Sequence, residues 1–294
     1  MKKGPALIFL CILMLTFSSC RPNPNSTSAP SNYIKNEGSD TLVNLALAWA
    51  EQYQLEHPDI QISVTGGGSG TGITALINGT IDLANASRAM TADEINNAKK
   101  AGFDPIQFVV AKDAIAVIVN PDNPVSSLTL KQISDVYKGL IKNWKELGGE
   151  DRPIVKLSRE SNSGTHVYFL QTVIRLGSAT DKSIFSSDTL LLPSSEGIIA
   201  EVSDNPNAIG YDGLGYVSPQ VKVIAVAKDA QSPAIIPSAD SVNNGSYPIS
   251  RDLYIYSHGQ PKGFILAYLK WIQGIEAQQI VSELGFVPFD EGGK

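Results

Sequence analysis

Residues 60–77 read Ile60-Gln61-Ile62-Ser63-Val64-Thr65-Gly66-Gly67-Gly68-Ser69-Gly70-Thr71-Gly72-Ile73-Thr74-Ala75-Leu76-Ile77. A short apolar run comes first, suited to a strand. Seven small residues follow, from Gly66 to Gly72, and Ile73 onward can start a helix. The order is strand, glycine loop, helix. A loop with so few side chains exposes its backbone N–H groups, and the helix behind it adds the positive end of a dipole. Together they make a site for an anion. A flexible linker or a tight turn is the plainer reading of the same residues. Three named loops do not fit. A P-loop ends in Gly-Lys-Ser/Thr, and there is no lysine here. The dinucleotide pattern G-x-G-x-x-G ends on Thr71 in one register and on Ile73 in the other. The hydrolase pattern G-x-S-x-G meets Thr71 where glycine is required.

The flanking chain alternates strands and helices, which predicts an α/β fold. Residues 42–53 have helical apolar spacing, and Ser39, Asp40 and Thr41 before them all have N-cap chemistry. Residues 80–88 are a short strand with a polar tip. Thr91 caps a helix to Lys100, with Glu94 completing a capping box. Residues 108–119 are a buried strand, or two in succession. Residues 130–138 form a short helix. Residues 154–157 are a strand that leads into Ser158–Thr165, and a helix continues through His166 to Leu176. Residues 195–203 are helical, 221–227 a strand, and 229–245 a polar loop. Residues 247–256 are mostly extended. Residues 262–284 are an amphipathic helix that Gly274 can break.

The chain has 294 residues, 43% hydrophobic and 18% charged, enough for one large or two mid-sized domains. Its net charge of −6 argues against a nucleic-acid partner, so an anion site here must be a local arrangement. Lys2 and Lys3 followed by an apolar run over residues 6–17 form a targeting segment too short to span a bilayer. The run ends in Leu15-Thr16-Phe17-Ser18-Ser19-Cys20, which resembles a bacterial lipobox. The implication is a signal peptide over residues 1–19, cleavage before Cys20 and a lipid on that cysteine. A plain secretory signal is the alternative. Residues 20–32, rich in Pro, Ser and Asn, then form a disordered tether. With Cys11 in the signal and Cys20 at its end, the folded part has no cysteine, which excludes disulfides and thiolate metal sites. His57, His166 and His258 are far apart in sequence. No metal and no cofactor is implied.

One pattern recurs. Gly38-Ser39-Asp40-Thr41, Gly68-Ser69-Gly70-Thr71 and Ser163-Gly164-Thr165 are small, hydroxyl-rich clusters, each opening a helix. Ser87-Arg88 and Ser158-Arg159 each put an arginine after a serine at a strand tip. One such cluster is usually only a cap. Three helix starts aimed at one point would each add about 0.3–1 kcal/mol of dipole attraction. Each hydrogen bond to a charged oxygen is worth about 1.5–3 kcal/mol. An arginine fork suits a tetrahedral oxyanion.

Ser158-Arg159-Glu160-Ser161-Asn162-Ser163-Gly164-Thr165, the loop of residues 66–72, Ala84-Asn85-Ala86-Ser87-Arg88 and Asn207-Ala208-Ile209-Gly210-Tyr211 together resemble the phosphate-binding proteins of bacterial phosphate ABC transporters. Tyr247-Pro248-Ile249-Ser250-Arg251 and Leu284-Gly285-Phe286-Val287-Pro288 fit the same family. The resemblance runs in order from about residue 33 to 289. It implies a two-lobed periplasmic-binding-protein type II fold with crossings near Ala111 and Ser250. Residues 33–110 and 251–294 would form lobe one, and residues 111–250 lobe two. Phosphate would sit between the lobes, held by Ser39, Asp40, Thr41, Ser69, Gly70, Thr71, Ser87 and Arg88 from one side. Arg159, Ser163, Gly164 and Thr165 would hold it from the other. A membrane permease would recognise the closed form. The protein would be a lipid-anchored, extracytoplasmic monomer and not an enzyme.

The sequence departs from the family in two places. Some members have aspartate at the position matched to Arg88, which accepts the proton of monohydrogen phosphate and rejects sulfate. Many have aspartate where this chain has Ser161. Arg88 fits an arginine-bearing branch, so the acceptor must lie elsewhere. Asp40 is the first candidate by its place at the first helix start, with simple N-capping as the alternative. Asp212 is the second. Three rival functions stay open. One is binding of another oxyanion, such as sulfate or molybdate. Another is a secreted serine phosphatase or esterase using Ser69 or Ser163, with His166 as the nearest base. The third is a surface sensor or adhesin that uses the same fold.

Overall fold

The computed structural model describes residues 32–289. The expected signal peptide, Cys20 and the tether up to Ser31 lie outside the described residues. The chain folds as β1 (Asn32–Gly38), α1 (Val43–Glu56), β2 (Ile60–Thr65), α2 (Ser69–Ile77), β3 (Leu83–Ala86) and α3 (Ala92–Lys100). Next come β4 (Ile106–Val119), β5 (Ser127–Thr129), α4 (Leu130–Tyr137), β6 (Val155–Arg159), α5 (Gly164–Phe169) and β7 (Leu190–Leu192). They are followed by α6 (Ser195–Asp204), β8 (Ala208–Gly213), β9 (Lys222–Ala227), β10 (Ala234–Ile235) and α7 (Ala239–Asn243). The last elements are β11 (Ser250–Ser257), α8 (Gly263–Ile272), α9 (Ile275–Glu283) and β12 (Val287–Pro288).

Two sheets share one strand. The first runs β2-β1-β3-β11-β4, with β1 parallel to both neighbours and β11 antiparallel to both of its own. The second runs β4-β8-β6-β7, with β9 also on β4 and carrying β5 and β10. β4 pairs with β11 from Ile106 to Ala114 and with β8 from Ile115 to Val119. One unbroken strand thus serves both halves of the molecule. β11 begins at Ser250, opposite Ala114, so the returning chain lies beside the outgoing one. The product is a two-lobed α/β protein.

β4 reads as a continuous apolar run because it is covered on both sides: Val110 and Ala111, then Ala114 to Val119, are all fully buried. Each half has its own core. In the first, Trp49 and Tyr53 of α1 pack with Leu253, Ile255, Tyr268 and Leu269. Trp49 also donates from Nε1 to the Ala277 carbonyl at 2.9 Å, which ties α1 to α9. In the second, Tyr137, Trp144, Phe169 and Tyr211 form the centre. Burial of each such side chain stabilises the fold by about 1.5–3 kcal/mol.

Three local expectations are corrected. No side chain of Ser39, Asp40 or Thr41 caps α1. Asp40–Leu42 is instead a short 3-10 turn that feeds the helix. The helix after Thr165 changes to a π-turn at Leu170–Ile174 and ends there. The polar loop of residues 229–245 contains β10 and α7, and α7 is held by a reciprocal Ser238–Ser241 cap. The break of the last helix at Gly274, which the sequence allowed, is present and separates α8 from α9. The Thr91–Glu94 capping box is present as expected.

Candidate functional site

The glycine loop is pinned, which overturns the linker reading. Gly68 N–H donates to the Gly38 carbonyl at 2.9 Å, and Gly70 N–H to the Asn162 carbonyl at 3.0 Å. Asn162 Nδ2 donates to the Gly67 carbonyl at 2.8 Å. Gly67 and Gly68 adopt φ of 117° and 94°, which favours glycine. A Cβ on Gly72 would lie 2.5 Å from both Glu37 O and Gly38 Cα, so α2 rests on β1 backbone to backbone.

The three hydroxyl-rich clusters meet. Thr41 Oγ1 lies 2.8 Å from Thr165 Oγ1. Ser69 Oγ accepts from Ser87 N–H at 3.0 Å and lies 3.2 Å from Ser87 Oγ. A Cβ on Gly164 would fall 2.3 Å from Ser69 Oγ and 2.5 Å from Ser87 Oγ, so the start of α5 presses directly on the start of α2. Ser39, Thr41, Ser69, Ser87, Ser163 and Thr165 are all buried. The N–H groups of Gly164 and Thr165 occupy the first two positions of α5, where helix geometry supplies no acceptor. Hydroxyl and N–H donors from both lobes therefore converge in a dry place, the arrangement that holds an anion without a large positive charge.

The two arginines differ. Arg159 is buried at the tip of β6. Its Nη1 donates to Ser195 Oγ at 2.8 Å and its Nη2 to the Pro193 carbonyl at 2.7 Å. Nη2 also lies 2.9 Å from Asp40 Oδ2. That same oxygen accepts from Ser195 N–H at 3.0 Å. Ser195 Oγ donates to Asp212 Oδ1 at 2.9 Å. Asp212 is fully buried, and its Oδ2 has no hydrogen-bond partner. Burial pushes its carboxyl up to about 6, against the pull of Arg159. Arg88 forms a bidentate fork with Glu94, at 2.8 and 2.7 Å. Its Nη2 is 3.9 Å from where a Gly70 Cβ would stand. Thr71 is exposed and returns its hydroxyl to the Gly67 carbonyl at 2.7 Å. Arg88 and Thr71 thus stand outside the hydroxyl cluster.

The sequence reading missed Asp113, Ser195 and Arg251. Arg251 Nη2 donates to Asp113 Oδ2 at 2.8 Å and to Thr165 Oγ1 at 3.0 Å. A signal was available, because Ser250-Arg251 is a third serine–arginine pair, here opening a strand. His166, the nearest base for a serine nucleophile, is engaged elsewhere. Its Nδ1 lies 2.8 Å from the Arg159 carbonyl and 3.1 Å from Ser158 Oγ, and its ring stacks on Phe185. Burial holds its pKa below the usual histidine value, only partly offset by the bond to Arg159. Among the described residues, no group of His, Cys, Asp and Glu could hold a metal, and no helix is long and apolar enough to cross a membrane.

Two lobes joined by neighbouring strands, with donors from both facing one point, define a binding protein of the periplasmic type II class. The profile of the PBP superfamily domain matches residues 23–275. The phosphate-binding protein PstS of Pseudomonas aeruginosa is 32% identical over 284 residues, covering 91% of this chain and 86% of that one. PstS of Bacillus subtilis is 30% identical, covering 98% and 95%. A Clostridium perfringens structure presented as a phosphate ABC transporter substrate-binding protein with bound phosphate superposes with a TM-score of 0.78. It is 31% identical and covers 88% of this chain and 100% of that one. The chain belongs to the PBP superfamily and, within it, to the family of these PstS phosphate-binding proteins.

Proposed function

We propose that this chain is the extracytoplasmic binding protein of a phosphate ABC transporter. It captures inorganic phosphate between its lobes and presents the closed form to the permease. The observation that carries the reading is the contact of Gly164 with Ser69 and Ser87. It brings two helix starts, one from each lobe, to van der Waals distance, with Thr41 joined to Thr165 beside them. The phosphate ligands on this reading are Ser39, Thr41, Ser69, Ser87, Arg159, Ser163, Gly164 and Thr165, with the N–H groups of residues 69, 164 and 165. Asp40 latches Arg159. Asp212, with a buried carboxylate oxygen that has no hydrogen-bond partner and lies 3.9 Å from Arg159 Nη1, is the better acceptor for the phosphate proton. Lobe two begins within β4 and ends before β11. The lipobox-like residues before Cys20 support a lipid anchor, and one chain serves as the functional unit.

A thermal-shift panel tests the ligand. Phosphate should raise the melting temperature by mass action, while equal sulfate or molybdate should not. A larger shift with sulfate would move the reading to the other oxyanion. The engagement of His166 with the Arg159 carbonyl disfavours a serine hydrolase. Sustained turnover of p-nitrophenyl phosphate by pure protein would reverse that.

A further inference from the structure

Arg251 stands where the two lobes join. It faces Asp113 across β11 and β4, within the stretch where β4 passes from one sheet to the other. Its side chain is 2% exposed and that of Asp113 is fully buried. Asp113 Oδ2 accepts from Arg251 Nε at 3.2 Å and Nη2 at 2.8 Å, while its Oδ1 accepts from Leu214 N–H at 3.0 Å. Nη2 also reaches Thr165 Oγ1 at 3.0 Å and Thr41 Oγ1 at 3.5 Å. Those hydroxyls come from opposite lobes and lie 2.8 Å from each other.

The direction of these bonds matters. A guanidinium has only donors, whereas a hydroxyl has one donor and two acceptor lone pairs. With one Nη2 hydrogen on Asp113, the other occupies a lone pair on Thr165 and leans toward Thr41 as the weaker, shared acceptor. One threonine hydrogen can lie between the two oxygens. The other must find an acceptor beyond the pair, and an anion in the cleft is such an acceptor. The buried pair with Asp113 keeps the guanidinium in place and cancels its charge. What Arg251 brings is then orientation more than net attraction. A hydrophobic pair would fill the same buried space without a desolvation cost, but it could not orient the hydroxyls.

We propose that Arg251 is a positioning residue that fixes Thr41 and Thr165 as hydrogen-bond donors toward the bound anion, so that capture and lobe closure depend on one guanidinium at the crossing. This rests on the phosphate reading above. It adds a residue whose hydrogen bonds go to β4, Thr41 and α5.

The test is a double-mutant cycle on the full chain, read by calorimetry with inorganic phosphate. Thr165→Val alone should weaken binding about tenfold or more, and Asp113→Asn/Arg251→Met, which leaves no orphan buried charge, should do the same. Adding Thr165→Val to that pair should cost no more than about threefold further, because the hydroxyl has already lost its orientation. A purely structural role would make the two losses multiply, and that result overturns the inference. So does parental affinity in Asp113→Asn/Arg251→Met. A neutral Thr165→Val, with phosphate still bound, overturns the inference and leaves the phosphate reading intact. A parent protein that does not bind phosphate sinks both. If circular dichroism shows the double variant unfolded, Arg251→Lys carries the same cycle. It keeps a charge opposite Asp113 but lacks the planar fork that holds the carboxylate through Nε while Nη2 reaches the threonines.

Discussion

Asp40 and Arg159 are joined at 2.9 Å, although they lie on opposite lobes and far apart in sequence. The carboxylate also takes the Ser195 N–H, so a residue expected to read the ligand's proton is instead tied to the second lobe. Charge-assisted bonds of this kind are worth about 1.5–3 kcal/mol. Asp40→Asn should therefore weaken phosphate and sulfate binding alike, by about tenfold to a hundredfold, with selectivity unchanged. Calorimetry with both anions checks this. Selectivity lost with little change in phosphate affinity would return the acceptor role to Asp40.

Asp212 carries the matching prediction. Its folded carboxyl is raised to about 6, chiefly by burial, so the folded state favours the protonated form. Its contribution to stability is present in full below the ordinary carboxylate pKa and is lost as pH rises through about 6. Asp212→Asn should accordingly show a melting temperature that improves relative to the parent between pH 4 and 7, a window of about 3 units around that pKa. As an acceptor it must be ionised, so parental discrimination against sulfate should weaken as pH falls below about 6. In Asp212→Asn the discrimination should be weak at every pH. A flat pH profile in the parent would remove Asp212 from the site.

Arg88 and Arg159 looked equivalent in the sequence, and the structure separates them. Glu94 belongs to the Thr91 capping box and also takes both ends of the Arg88 fork. Although its partial burial pushes the Glu94 carboxyl up, the bonds from Arg88 and Thr91 bring it below the usual glutamate range. Arg159→Gln should weaken phosphate binding about a hundredfold or more, as loss of a buried charged donor does. Arg88→Gln should change it only a few-fold. Calorimetry on the two variants decides, and equal losses would place Arg88 back among the ligands.

The parts of this protein that were legible in the sequence are the local ones. Thr91 and Glu94 are three residues apart, and their capping box needs no tertiary contact. The strand, loop and helix of residues 60–77 follow from apolar runs interrupted by glycine. The convergence of the three clusters was readable only because the same small-residue signature occurs three times. What failed depends on side-chain partners that no local pattern announces. Asp40 looked like a cap because its neighbours favour one, but Ser195 and Arg159 claim its carboxylate. Arg88 kept its serine-arginine signature while Glu94, six residues on, took its charge. Asp113 sits inside an apolar strand, where its pairing with Arg251 is visible only once β4 and β11 are side by side.

Gly164 tests the site without removing any polar group. A Cβ there would stand 2.3 Å from Ser69 Oγ and 3.0 Å from Ser69 Cβ. Rotating Ser69 would relieve the first contact but turn its hydroxyl away from the cluster. Keeping the hydroxyl in place would force α5 away from α2 and hold the lobes apart. Both responses remove a contact that a bound anion needs. Neither disturbs the two hydrophobic cores, which lie behind the helices. Gly164→Ala should therefore unfold in urea within about 1 kcal/mol of the parent, with an unchanged slope. The phosphate-dependent rise in melting temperature should disappear, because that rise measures affinity directly. A variant that keeps the full phosphate shift would mean that the start of α5 does not close on the start of α2 when the ligand is bound.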